Sequence, residues 1–147
     1  MSKLIVANWK MNPSALSEAI ELAVASDRAS VVIAPPFPFI PAVAAAIHSA
    51  KLAAQDVFYE RAGAFTGEVS ASQLVALGVR YVIIGHSERR RLGETDDTIA
   101  RKIAAMKTFF AFLFNEGKIP KNPTEGISSP KIGRSLPKAL TLEEIKK

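Results

Sequence analysis

Residues 63–94 read GAFTGEVSASQLVALGVRYVIIGHSERRRLGE, and the order of events within this stretch decides the fold. A glycine-flexed loop, Gly63 to Glu68, leads into Ser70 to Leu77, a short predicted helix closed by Gly78 as a left-handed cap. Tyr81 to Ile84 then predicts a buried strand, and Gly85, His86, Ser87 and Glu88 follow it at once. Polar, chemistry-bearing residues thus sit directly at the C-terminal end of an apolar strand. In a parallel βα array such strand ends converge on one rim, and that rim hosts the active site.

The same alternation extends outward over the first 107 residues. Leu4 to Ala7, Val31 to Ala34 and Leu52 to Gln55 are the remaining strand candidates. Between them lie a helix over Ser14 to Ala25, capped by Ser14 or Ser17 with Leu16, Ile20 and Val24 on one face, and a proline-initiated helix over Pro41 to Ser49. A fourth helix starts at Thr95 as N-cap, with Asp96 and Asp97 placed to complement the helix dipole. The pattern is that of an α/β fold with about four βα units of parallel sheet. An apolar stripe of Ile99, Ile103, Met106, Phe110, Leu113 and Phe114 predicts one unbroken helix from Thr95 to Glu116, ended by Gly117. Beyond it Pro120, Pro123, Gly126, Pro130, Gly133 and Pro137 forbid regular structure, and a short last helix is expected from Thr141, where Glu144 takes the capping-box position.

Composition narrows the function. A chain of 147 residues, 48% hydrophobic and 22% charged, suits one ordinary globular domain. It is too short for a whole eight-unit barrel of about 250 residues. The absence of cysteine excludes disulfides and thiolate chemistry. Ala29 to Ala50 carries no formal charge, but Pro35, Pro36, Pro38 and Pro41 would break a spanning helix repeatedly, so a membrane span is rejected and a cytoplasmic protein expected. The net charge of +5 divides into +2 over residues 1–107 and +3 over residues 108–147. Without aromatics interleaved in the basic part, that density suits a solvated surface better than a phosphate-binding groove, and DNA is not the favoured partner.

Of the strand-end residues, Lys10 offers a cation for an anionic substrate and Asn8 a neutral hydrogen-bond donor. His86, held neutral at a helix N-terminus, could polarise a carbonyl. Taken together, Asn8-Trp9-Lys10-Met11-Asn12, Ala34-Pro35-Pro36, Ala53-Ala54-Gln55, Gly63 to Glu68, Gly85 to Arg90 and Gly93-Glu94-Thr95 stand in the order and spacing of triosephosphate isomerase, which the chain resembles through about Met106. The resemblance implies a partial (β/α)₈ TIM barrel over residues 1–107 and the interconversion of glyceraldehyde 3-phosphate and dihydroxyacetone phosphate in glycolysis.

It further implies that Asn8, Trp9 and Lys10 bind a small phosphorylated triose, that His86 is the electrophile and that Glu88 is the carboxylate beside the lysine. The loop at 63–68 would reach a neighbouring subunit of a homo-oligomer, with Thr66 ordering the partner's site and Glu68 and Arg89 available for an ion pair across the interface. No cofactor and no metal is called for. The family's proton-abstracting glutamate, mobile lid and glycine-rich phosphate loop have no counterpart after Met106, so a truncated chain, inactive or severely impaired alone, is expected. Residues 108–147 resemble instead the interdomain linker of Xer-type tyrosine recombinases, a helix followed by a proline-rich connector. A chimera joined near Lys107 is the corresponding expectation, and a non-catalytic, DNA-associated fragment is the alternative function. The open strand edges of a half barrel also predict self-association or aggregation unless the tail covers the sheet.

Overall fold

Val31-Val32-Ile33-Ala34 has no polar side chain, and such a strand is stable only where both of its faces are covered. In the computed structural model, which describes residues 4–130, these four residues form β2 and all are buried. Ile5–Asn8 form β1, Lys51–Ala54 β3 and Tyr81–Val82 β4. The sheet is parallel throughout, in the order β1-β2-β3-β4. Its register sets Asn8 beside Ala34, Ile33 beside Leu52 and Ala54 beside Val82, which brings the strand C-termini to one rim.

Helices alternate with the strands: α1 over Leu16–Ala25, α2 over Ile40–Ala46, α3 over Ala71–Ala76, α4 over Ser87–Arg91 and α5 over Asp96–Asn115, with a 3₁₀ turn at Phe37–Phe39 ahead of α2. Ile33, Leu52 and Ala54 on one face of the sheet pack with Ala23, Ile40, Val43, Val57 and Leu74. Val32, Ala34 and Ala53 form a second cluster with Ile83. Each fully buried Val, Leu or Ile contributes about 1.5–3 kcal/mol, so the fold rests chiefly on β2, β3 and the helices that cover them.

The expected elements are present, with adjusted ends. Ser70 caps α3 in a full capping box with Gln73, and Gly78 takes φ 81° just past the helix. The caps expected for α1 do not form: Ala15, with φ −102° and ψ 142°, occupies the N-cap position, so neither Ser14 nor Ser17 can reach the first free amides. The α5 helix runs through Lys107 without a break, from the Thr95 cap to Glu116, and Gly117 follows at φ 65°. The strand expected over Tyr81 to Ile84 is shorter in its ladder, although the Ile83 amide still donates to the Ala54 carbonyl at 2.9 Å.

The two ends of the sheet differ. Leu4, Ile5 and Val6 at β1 are more than half exposed, an uncovered apolar edge. Beside β4, irregular chain after α5 comes back toward the sheet, and Pro123, Thr124 and Ile127 line a cavity of about 390 Å³ with Tyr81, Val82 and Phe110. Thr124 is buried there, and its amide and hydroxyl both donate to Asn122 Oδ1. The short helix expected from Thr141 lies outside the described residues. Among the described residues, no helix is long and apolar enough to cross a membrane and no cluster of three or more His, Cys, Asp or Glu could hold a metal.

Asp27 links two connections at the N-terminal side of the sheet. Its carboxylate accepts from the amides of Ala50 at 2.6 Å and of His48 and Ser49 at 2.8 Å. These bonds, that from Ala50 foremost, hold the Asp27 pKa below the ordinary carboxylate value. A group lowered on folding stabilises above its unfolded pKa, about 3.9, and that contribution is lost as pH falls through the folded value. Asp27→Ala should therefore lower the urea midpoint at pH 7, with the gap from the parent narrowing below about pH 4. An undiminished gap at low pH would contradict this account.

Candidate active site

Asn8 ends β1, and the chain then makes a tight turn. Lys10 takes φ 57°, a left-handed conformation that a side chain with a Cβ adopts at a cost of roughly 1–2 kcal/mol. Asn8 Oδ1 accepts from the Lys10 amide at 3.0 Å and the Trp9 carbonyl accepts from the Asn12 amide at 3.2 Å, which holds the turn closed. Trp9 is anchored by packing against the main core. Strain maintained by surrounding structure is characteristic of functional positions. The expected signature is that Lys10→Gly is more stable than Lys10→Ala by about 1 kcal/mol in urea denaturation, while both lose the cation; equal midpoints would show that the turn is unstrained.

At the other side of the rim, Gly85 adopts φ 70°, and a Cβ there would lie 3.0 Å from Ile99 Cδ1. A side chain there would be strained by the positive φ and would press on Ile99 of α5, so glycine suits the point where His86 leaves the sheet. His86 is the N-cap of α4, and its Nδ1 accepts from the Glu88 amide at 3.2 Å. A ring whose Nδ1 accepts keeps its proton on Nε2 and is neutral. Glu88 Oε2 also lies 3.5 Å from Nδ1, a contact that would be an ion pair only if the ring were protonated.

Glu88 Oε1 accepts from Lys10 Nζ at 2.6 Å, which joins the two ends of the rim. The pair is about half exposed, so its contribution to stability is small. The Lys10 hydrogen bond holds the Glu88 pKa below its ordinary value, with the charges of Lys10 and Arg91 acting in the same direction. The structure thus brings Asn8, Lys10, His86 and Glu88 together, with the backbone of Trp9 between the first two.

The loop residues are placed differently. Thr66 and Glu68 are exposed on the 63–68 segment. Glu68 and Arg89 line one cavity of about 100 Å³, yet Arg89 forms its ion pair within the chain, to Asp56 Oδ2 at 2.6 Å. The pairing expected of Arg89 with Glu68 runs between two copies; within one chain, a buried aspartate just beyond β3 holds the guanidinium. Arg90 donates to the Gly85 carbonyl and pairs with Asp96, tying α4 to the end of β4 and the start of α5.

Two charged residues, Asp56 and Lys102, escaped the sequence analysis, and Glu94 entered it only as part of a motif. Lys102, only 2% exposed, donates from Nζ to Asp56 Oδ1 and to Glu94 Oε1, both at 2.5 Å. A signal for it existed: Lys102 falls three residues after Ile99 and one before Ile103, inside the apolar stripe of α5. A cation at that spacing must meet buried carboxylates.

With the geometry in view, comparison with known proteins is direct. The family Triosephosphate isomerase matches residues 3–109. The triosephosphate isomerase of Cupriavidus taiwanensis is 38% identical over 155 residues, covering 97% of this chain and 63% of the relative. That of Dechloromonas aromatica is 44% identical over 113 residues, covering 71% and 45%, and that of Alcanivorax borkumensis is 50% identical over 106, covering 69% and 43%. The chain therefore spans about half the length of the curated relatives it matches. The recombinase-like reading of residues 108–147 finds no support in these matches, one of which runs through nearly the whole chain. The convergent rim and the match over residues 3–109 lead to one assignment: the chain belongs to the triosephosphate isomerase family.

Proposed function

We propose that this chain carries the substrate-polarising side of a triosephosphate isomerase site, acting on glyceraldehyde 3-phosphate and dihydroxyacetone phosphate as part of cytoplasmic glycolysis. The observation that carries the reading is the His86 ring, whose Nδ1 accepts from the Glu88 amide and leaves Nε2–H to donate to a substrate carbonyl. Lys10 supplies the cation for the anionic substrate, and Asn8, with its Oδ1 taken by the Lys10 amide, keeps its amide donors for the ligand. No cofactor or metal is needed for this step. Self-association of the chain, with the 63–68 loop reaching a second copy, belongs to the same proposal.

The reaction also needs a base that moves a proton between neighbouring carbons. Glu88 is a poor one, because the Lys10 hydrogen bond that lowers its pKa stabilises the carboxylate and weakens its pull on a C–H proton. Binding and polarisation are thus expected of this chain without efficient turnover. Titrating the labelled protein with dihydroxyacetone phosphate while following the His86 ring and Lys10 Nζ by NMR tests the reading. Saturable shifts at both, lost in Lys10→Ala, support it. No response up to about 10 mM, where a binding free energy near 3 kcal/mol would still register, would reject it.

A further inference from the structure

A five-residue helix cannot hold its own geometry, since isolated helices shorter than about 12 residues are marginal in water. Yet α4, Ser87–Arg91, must fix the His86 ring and the Glu88 carboxylate at the rim. Lys10 pulls on Glu88 from one side at 2.6 Å. On the other side Arg89 is held by Asp56, which is itself buried and shares its second oxygen with Lys102. Lys102 in turn stands in α5 and is clasped by Glu94. The four residues form a chain of alternating charge, Arg89 to Asp56 to Lys102 to Glu94, that runs from a half-exposed arginine into the interior. Its two cations balance its two carboxylates. One oxygen, Glu94 Oε2, is buried and has no hydrogen-bond partner among the described residues.

We propose that Asp56 and Lys102 are positioning residues for the rim: by holding Arg89 they fix the first turn of α4, and thereby the His86 ring and the Glu88 carboxylate. The inference rests on the functional reading above for its purpose, but its geometry can be tested without substrate. Lys102 does not touch the site. It acts by bonding Asp56 Oδ1 and leaving Oδ2 aimed at Arg89 of α4, a task no apolar residue on the stripe could perform. Asp56 is the node, because each of its oxygens meets a different cation, Oδ1 with Lys102 and Oδ2 with Arg89.

The experiment uses the full chain and two variants, Arg89→Gln and Asp56→Asn, with Arg89→Lys as a conservative control. Arg89 is 45% exposed, so its loss leaves the fold intact. Two readouts follow: the ¹⁵N shifts of the His86 ring, which separate a fixed Nε2–H tautomer from a mixture, and hydrogen exchange at the Glu88 amide. The expected result is a mixed tautomer and exchange about fivefold faster in Arg89→Gln and Asp56→Asn, with partial recovery in Arg89→Lys. An unchanged ring tautomer and unchanged Glu88 exchange in both variants, with the fold intact by circular dichroism, would overturn the proposal. Titration of the parent with dihydroxyacetone phosphate keeps the two ideas apart. A parent that fails to bind it while the variants loosen His86 refutes the functional reading and leaves the positioning role supported.

Discussion

Lys102→Met is expected to lower the free energy of unfolding by about 3–5 kcal/mol, the usual effect of removing one partner from a buried ion pair. The apolar replacement suits the stripe of α5 and nearly matches the side-chain volume, so the loss arises from charge and not from packing. Asp56 and Glu94 would be left as two carboxylates in the interior, their side chains 9% and 4% exposed, with Arg89 alone to balance them. Against a total stability of about 5–15 kcal/mol for an ordinary domain, such a loss approaches unfolding. Adding Glu94→Gln to Lys102→Met removes one of the uncompensated charges and should recover part of the loss. Urea denaturation of the single and double variants at pH 7 checks both statements. A Lys102→Met protein within about 1 kcal/mol of the parent would show that water or rearrangement satisfies the carboxylates.

The second large effect concerns turnover. The chain is expected to isomerise triose phosphate at a rate at least about 10²-fold, and up to about 10⁴-fold, below an ordinary enzyme, which is the share of rate that a positioned general base typically supplies. The rim presents a cation and a histidine whose Nδ1 is already engaged by a backbone amide, and the carboxylate it brings to them is engaged by Lys10 and lowered in basicity. Preparing His86→Gln and measuring both proteins in a coupled assay makes the expectation specific. The parent should show slow turnover, and the variant less still, because the donor to the carbonyl is displaced. A parent kcat in the ordinary range of about 1–10³ s⁻¹ would mean that another group serves as base and would defeat the account of Glu88.

Much of this site was legible before any coordinates. Asn8, Lys10, His86 and Glu88 each follow an apolar strand candidate, and the rule that parallel strand ends share a rim is enough to place them near one another. The unbroken α5 helix was equally legible, since its apolar stripe continues through Lys107 and both of its caps are written in Thr95 and Gly117. Local signals fared worse where two residues competed for one position. Ser14 and Ser17 flank the start of α1, but backbone geometry gave the N-cap to Ala15. The extent of β4 also depends on its neighbour β3, and not on its own apolar run.

By itself, then, the sequence determined the alternation of strands and helices, the identity of the rim residues and the family, because these depend on periodicity and on motifs contiguous in the chain. The tertiary structure alone decided which charges meet behind the rim. Asp56, Glu94 and Lys102 are separated by up to 46 positions, and Arg89 could have paired in several ways. Ion pairing depends on burial and on distances of about 3 Å, and neither exists until the sheet and α5 have packed. It is this packing that links a lysine on an apolar stripe, through an aspartate beyond β3, to the short helix that carries His86 and Glu88 at the rim.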